Sequence, residues 1–65
     1  MCLSTVYKMT EDQPVFFSKN IQNVQAEENG TLTFTDIMGV RYTSHGSIEG
    51  IDLVNNTIHI KEAQS

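Results

Sequence analysis

Apolar and polar residues alternate with a period of two along most of this 65-residue chain, which is the spacing of strands that bury one face. Residues 3–9 (LSTVYKM) carry Thr, Val and Tyr, which suit a pleated, half-buried surface. The polar stretch Thr10-Glu11-Asp12-Gln13-Pro14 then turns the chain, closed by a proline that lacks an N–H. Val15-Phe16-Phe17 forms a second apolar run, broken at Lys19-Asn20. Residues 21–28 resume it with Val24 and Ala26 on one face, although residues 18–24 also suit a short helical turn. Asn29-Gly30 predicts a two-residue type I′ hairpin turn, because both residue types tolerate positive φ. Beyond it, residues 31–35 (TLTFT) alternate cleanly, with Leu32 and Phe34 inward. Residues 36–39 turn the chain again, and residues 40–43 (VRYT) pair back.

Ser44-His45-Gly46 reads as a loop. Residues 47–54 (SIEGIDLV) read as a strand with Gly50 as a bulge or barrel bend. Asn55-Asn56 is a further hairpin turn, since Asn tolerates the left-handed region. In residues 57–62 (TIHIKE), Ile58 and Ile60 point inward and His59 and Lys61 outward; residues 63–65 read as a frayed tail. About six short antiparallel strands joined by tight turns make one all-β domain over residues 1–65, a small barrel or sandwich.

A domain of this size buries only about 60% of its unfolded surface. With one cysteine and two histidines, it lacks the disulfides or zinc quartet that staple many small domains. Oligomerisation is the remaining staple, which predicts a dimer or a higher assembly. Four basic and eight acidic residues leave a net charge of −4. Lys8, Lys19, Arg41 and Lys61 are scattered, which argues against binding a phosphate backbone. The first residues show no basic n-region or long apolar h-region, so the sequence predicts neither export nor a lipoprotein. No apolar stretch approaches the roughly 20 residues of a membrane helix. A single cysteine without an export signal fits a reducing cytoplasm.

Cys2 is the residue with the most chemistry to offer. With no partner in the chain it cannot form an intramolecular disulfide. If Met1 is removed, the Cys2 amine and thiolate form a five-membered chelate, and two chains side by side offer an N2S2 set. If Met1 stays, its amine, the Cys2 amide and the Cys2 thiolate form a tridentate set. Such N/S donors suit Ni(II) or Cu(II) better than Mg or Ca. An idle exposed thiol or a small packing residue is the plainer alternative. His45 and His59 belong to no ligand-spaced pattern. The carboxylates Glu49 and Asp52 flank Gly50-Ile51 with nothing to build a pocket around them; a solvated face or a hydrogen bond to a turn fits them better. Tyr7, Phe16, Phe17, Phe34 and Tyr42 read as core or interface aromatics, without the interleaved basic residues of an RNA-stacking platform. No phosphate-binding loop or nucleophile elbow is present, and no catalytic residue is assigned.

The opening MCLSTVY and the closing HGSIEGIDLVNNTIHIKE resemble the CooT family of small nickel-binding accessory proteins, whose relatives often carry the label predicted RNA-binding protein. The shared pattern is Met-Cys before a strand, a Gly-turned central hairpin, and a closing segment formed here by Ile48, Gly50, Ile51, Asp52, Leu53, Ile58 and Ile60. The resemblance implies a small Sm-like or SH3-like barrel and a homodimer. It also implies one Ni(II) held by Cys2 of both subunits, with Met1 as the adjacent backbone contributor. The function expected from it is nickel handling in the maturation of a metalloenzyme such as carbon monoxide dehydrogenase. An Sm-like RNA-binding module, or a protein-interaction module with an idle thiol, is the alternative. An enzyme is not expected.

Overall fold

A computed structural model describes residues 2–63; Met1, Gln64 and Ser65 lie outside the described residues. Five strands follow one another: β1 (Ser4–Met9), β2 (Pro14–Ala26), β3 (Thr31–Asp36), β4 (Arg41–Asp52) and β5 (Thr57–Glu62). Each neighbouring pair is antiparallel, and β1 closes the barrel by pairing with β5 in parallel. The expected small all-β barrel is therefore present. It has five strands because two of the expected breaks are bends within long strands.

The first bend lies in β2. Its front half pairs with β1, its back half with β3, and Ile21 faces both Ser4 and Asp36. Lys19-Asn20 does not end the strand: Asn20 takes a positive φ of 58° and the register shifts after Ile21. This local irregularity lets one strand turn the corner of the barrel, and residues 18–24 are strand throughout, not helix. The second bend lies in β4, where Ser44-His45-Gly46 is strand rather than loop. Residues before Gly46 pair with β3 and residues after it with β5. A Cβ on Gly46 would collide with the Lys61 carbonyl and lie 3.0 Å from the Glu62 Cα. Only a residue without a side chain lets β4 cross so close to β5. Gly50 sits, as expected, at a register irregularity between Ile48 and its own pairing with His59.

Two hairpins share one turn design. The Gly30 N–H donates to the Glu27 carbonyl at 3.0 Å, the Glu27 N–H donates to Thr31 at 2.9 Å, and Gly30 has a φ of 89°. This is a type I turn followed by a bulged glycine, in a three-residue connection. The expected type I′ turn is not formed, since Asn29 keeps a negative φ. Residues 36–40 repeat the pattern, with Gly39 at a φ of 86°. The core is small: Val6, Ile21, Leu32, Phe34, Ile58 and Ile60 are buried, with Phe17, Val24 and Tyr42 packed against them. Ala63 is tied in by its N–H to the His45 carbonyl at 2.7 Å, so the expected fraying does not include it.

Candidate functional site

The residues leading into β1 run beside the connection between β4 and β5. The parallel register sets Thr5 against Thr57, and the Thr5 N–H donates to the Asn56 carbonyl at 2.9 Å. Asp52 fixes that connection. Its Oδ1 accepts from the Val54 and Asn55 amides at 3.0 and 3.1 Å, and its Oδ2 from the Asn55 side-chain amide at 2.8 Å. The Asn55 side chain, foremost among these donors, holds the Asp52 carboxyl below its ordinary pKa. Asn56 supplies the positive φ, 54°, that ends the connection. Asp52 is thus a turn residue, as the plainer reading expected.

Cys2 is exposed and its thiol is free. Leu3, next to it, is half-buried. The β4–β5 connection alongside carries Leu53 and Val54, which are 82% and 89% exposed. Leu and Val in so open a position bury nothing within the chain, and with Ile51, 55% exposed, they make an uncovered apolar collar at this end. Met1, the second residue expected at the site, lies outside the described residues.

The histidines lie elsewhere. His45 is exposed on β4 with its Nδ1 3.5 Å from the Thr31 hydroxyl. His59 is half-buried on β5, its ring 6.2 Å from that of Tyr7. Among the described residues no three His, Cys, Asp or Glu side chains gather where they could hold a metal ion.

A second polar feature went unrecognised in the sequence. Asp36, 8% exposed, accepts from the Met38 and Val40 amides at 2.9 Å each and from the Tyr42 hydroxyl at 3.0 Å. The Ile37 N–H also donates to Asn20 at 2.9 Å, locking the β3–β4 turn to the bend of β2. Burial pushes the Asp36 pKa up, but the hydrogen bonds, led by Val40 and Tyr42, outweigh it and leave the carboxyl below its ordinary range. Through the same bond Asp36 raises the pKa of Tyr42. The spacing Asp36-x-x-Gly39 was the available signal, since Asp favours the first and Gly the fourth position of a type I turn.

The fold and this site define a class: a small closed β-barrel with a free, exposed thiol just ahead of its first strand. No helix among the described residues is long and apolar enough to cross a membrane. The family model of the CO dehydrogenase accessory protein CooT matches residues 1–61, and the chain belongs to that family. Its fold is similar to a crystal structure described as CooT from Carboxydothermus hydrogenoformans, with a TM-score of 0.87 at 21% identity, covering 97% of this chain and 100% of that one. No curated protein matches the chain. Membership places it among accessory proteins of CO dehydrogenase.

Proposed function

We propose that this chain carries Ni(II) for the maturation of a carbon monoxide dehydrogenase-type enzyme, as a homodimer whose paired N-termini hold one ion. Cys2 of each copy supplies a thiolate, and the N-terminal backbone at Met1 and Cys2 supplies nitrogen. The observation that carries this reading is the free, exposed thiol of Cys2, ahead of a strand whose Thr5 is held to the connection that carries the exposed Leu53 and Val54. A second copy set against that collar buries apolar surface and brings a second thiol to the first. Each Å² of apolar area removed from water contributes about 25 cal/mol, and the small core gives a reason for needing it. The family, described as CO dehydrogenase accessory proteins, supports the client, and the sulfur and nitrogen donors at the N-terminus suit Ni(II) as cargo. The lone thiol suits a reducing compartment, which supports a role in the cytoplasm.

Titration of the reduced protein with Ni(II), followed by native mass spectrometry and absorption spectroscopy, tests the reading. One nickel per dimer with thiolate-to-metal charge-transfer bands is expected. Cys2→Ser should abolish both while leaving the circular dichroism spectrum unchanged, because Cys2 lies outside every strand. Stoichiometric binding that survives Cys2→Ser refutes the site.

A further inference from the structure

Asn29-Gly30 carries a chemistry that neither the core nor the N-terminal site uses. An asparagine side chain ahead of glycine can react with its own backbone, because no side chain on the next residue shields that residue's nitrogen. The other asparagines lack this opening: Asn20, Asn23, Asn55 and Asn56 precede Ile21, Val24, Asn56 and Thr57. Asn29 and Gly30 are both exposed, at the tip of the β2–β3 hairpin. Hydrogen bonds hold them there. The Gly30 N–H donates to the Glu27 carbonyl at 3.0 Å, and the Thr31 N–H donates to the Asn29 Oδ1 at 3.0 Å. The Gly30 carbonyl accepts from the Gly46 N–H at 2.9 Å, which ties the tip to the residue where β4 bends.

We infer that Asn29 is a site of spontaneous deamidation guarded by its turn, and that the isoaspartyl product unties the bend of β4. In the first step the Gly30 nitrogen attacks the Asn29 Cγ. The new N–C bond closes a five-membered imide, and the Gly30 proton leaves with the side-chain amide as ammonia. Water then adds to one of the two imide carbonyls. Opening at one leaves aspartate; opening at the other leaves isoaspartate, whose main chain runs through Cβ. Water is the single co-reactant and ammonia the single by-product. The native turn opposes the first step. Asn29 holds the third position of a type I turn, where ψ lies near zero. Ring closure requires the Gly30 nitrogen to swing under the Asn29 Cβ. That rotation breaks the Gly30–Glu27 bond and takes Oδ1 off the Thr31 N–H. Two lost hydrogen bonds slow the step about thirtyfold. Local opening of the exposed tip is then the event that admits it. Isoaspartate adds a methylene to the main chain of a tight connection whose ends are pinned by the Glu27 N–H on the Thr31 carbonyl, so the Gly30 carbonyl is carried away from Gly46. The proposal is independent of the metal site.

The test is incubation of the full chain in mildly alkaline buffer, folded and in guanidinium chloride that unfolds it. Peptide mapping by mass spectrometry and enzymatic methylation of isoaspartate follow the products. Conversion at residue 29 is expected, about thirtyfold slower in the folded chain than in the unfolded one. Asn29→Gln should abolish it, because the longer side chain has to close a less favoured six-membered ring. Cys2→Ser should convert at the parent rate, which separates this outcome from that of the nickel site. The isoaspartyl fraction, isolated by ion exchange, should unfold at a lower temperature than the parent. Asn29→Asp adds the same charge without lengthening the main chain and should unfold close to the parent. Equal rates in the folded and unfolded chain, or a faster rate when folded, overturn the guarding role of the turn. Absence of conversion at residue 29, or earlier conversion at another asparagine, overturns the site. An isoaspartyl form as stable as Asn29→Asp overturns the link to β4.

Discussion

Replacing Gly46 with alanine should unfold this protein or nearly so, whereas the same change at Gly50, four residues further along β4 and paired with His59 rather than Glu62, should be harmless. At Gly46 the added methyl meets backbone: the Lys61 carbonyl and the Glu62 Cα. Backbone cannot rotate out of the way, so β4 and β5 must part. Parting them endangers two hydrogen bonds, Gly46 N–H to Gly30 at 2.9 Å and Ala63 N–H to His45 at 2.7 Å, each worth about 1 kcal/mol. It also loosens the cover of Ile60, for which a further ~1–2 kcal/mol is a moderate figure. The sum, about 3–4 kcal/mol, stands against a total stability of about 3–10 kcal/mol for 65 residues. At Gly50 the methyl meets open space, and alanine restricts the unfolded chain, so a change between neutral and about 1 kcal/mol of stabilisation is expected. Urea unfolding followed by circular dichroism measures both. A Gly46→Ala variant within about 1 kcal/mol of the parent would show that β4 does not cross β5 at this distance, and the closure of the barrel would have to be redrawn.

Two further predictions follow from the site and the turns. If the proposed homodimer forms through the collar, Leu53→Asp combined with Val54→Asp should shift it to monomer in analytical ultracentrifugation and lower the nickel bound per chain; an unchanged dimer would place the interface elsewhere. The pH dependence of stability has two limbs. Asp36, Asp52 and Glu62 have folded pKa values below their ordinary ones, so their contribution is present above the ordinary carboxylate range and is lost as pH falls through the lowered values. Tyr42 has a raised pKa, so its contribution is complete below about pH 10 and is lost as pH rises through the raised value. Asp36→Asn should make the acid limb shallower and bring the Tyr42 titration back toward that of free tyrosine. An ultraviolet titration in which Tyr42 does not move would disprove their coupling.

The period-two alternation was enough to find every inward apolar residue of β3 and β5, because Leu32, Phe34, Ile58 and Ile60 sit on short strands that keep one register. It failed where a strand changes partner. Asn20 and Gly46 look like breaks because they interrupt the apolar pattern. In the fold they are the places where β2 and β4 bend from one neighbour to the next, a long-range demand that no local window contains. Asn29-Gly30 misled for a related reason: the dipeptide tolerates a type I′ turn, but glycine alone at positive φ satisfies the bulged three-residue connection. Asp36 was hidden because its partner Tyr42 comes from another strand. Cys2, by contrast, was legible at once, since its chemistry lies in its position in the chain and not in what folds around it.

That position bears on how a carrier must work. A metal bound by residues of the core shares its binding energy with folding, so release of the ion threatens the fold. Cys2 precedes the first strand, and the six buried apolar side chains that hold the barrel together lie elsewhere, from Val6 to Ile60. Nickel bound there, on the reading proposed, is held by the apposition of two chain ends, and its release costs contacts at the collar of Leu53 and Val54 rather than contacts of the core. The fold then survives loading and unloading alike. Metal-free and nickel-loaded protein should accordingly show the same amide hydrogen-exchange protection at Val6, Phe34 and Ile60. Protection of those amides that rises with bound nickel would mean that the ion is part of the fold, and the role of carrier would have to be given up for that of a structural metal protein.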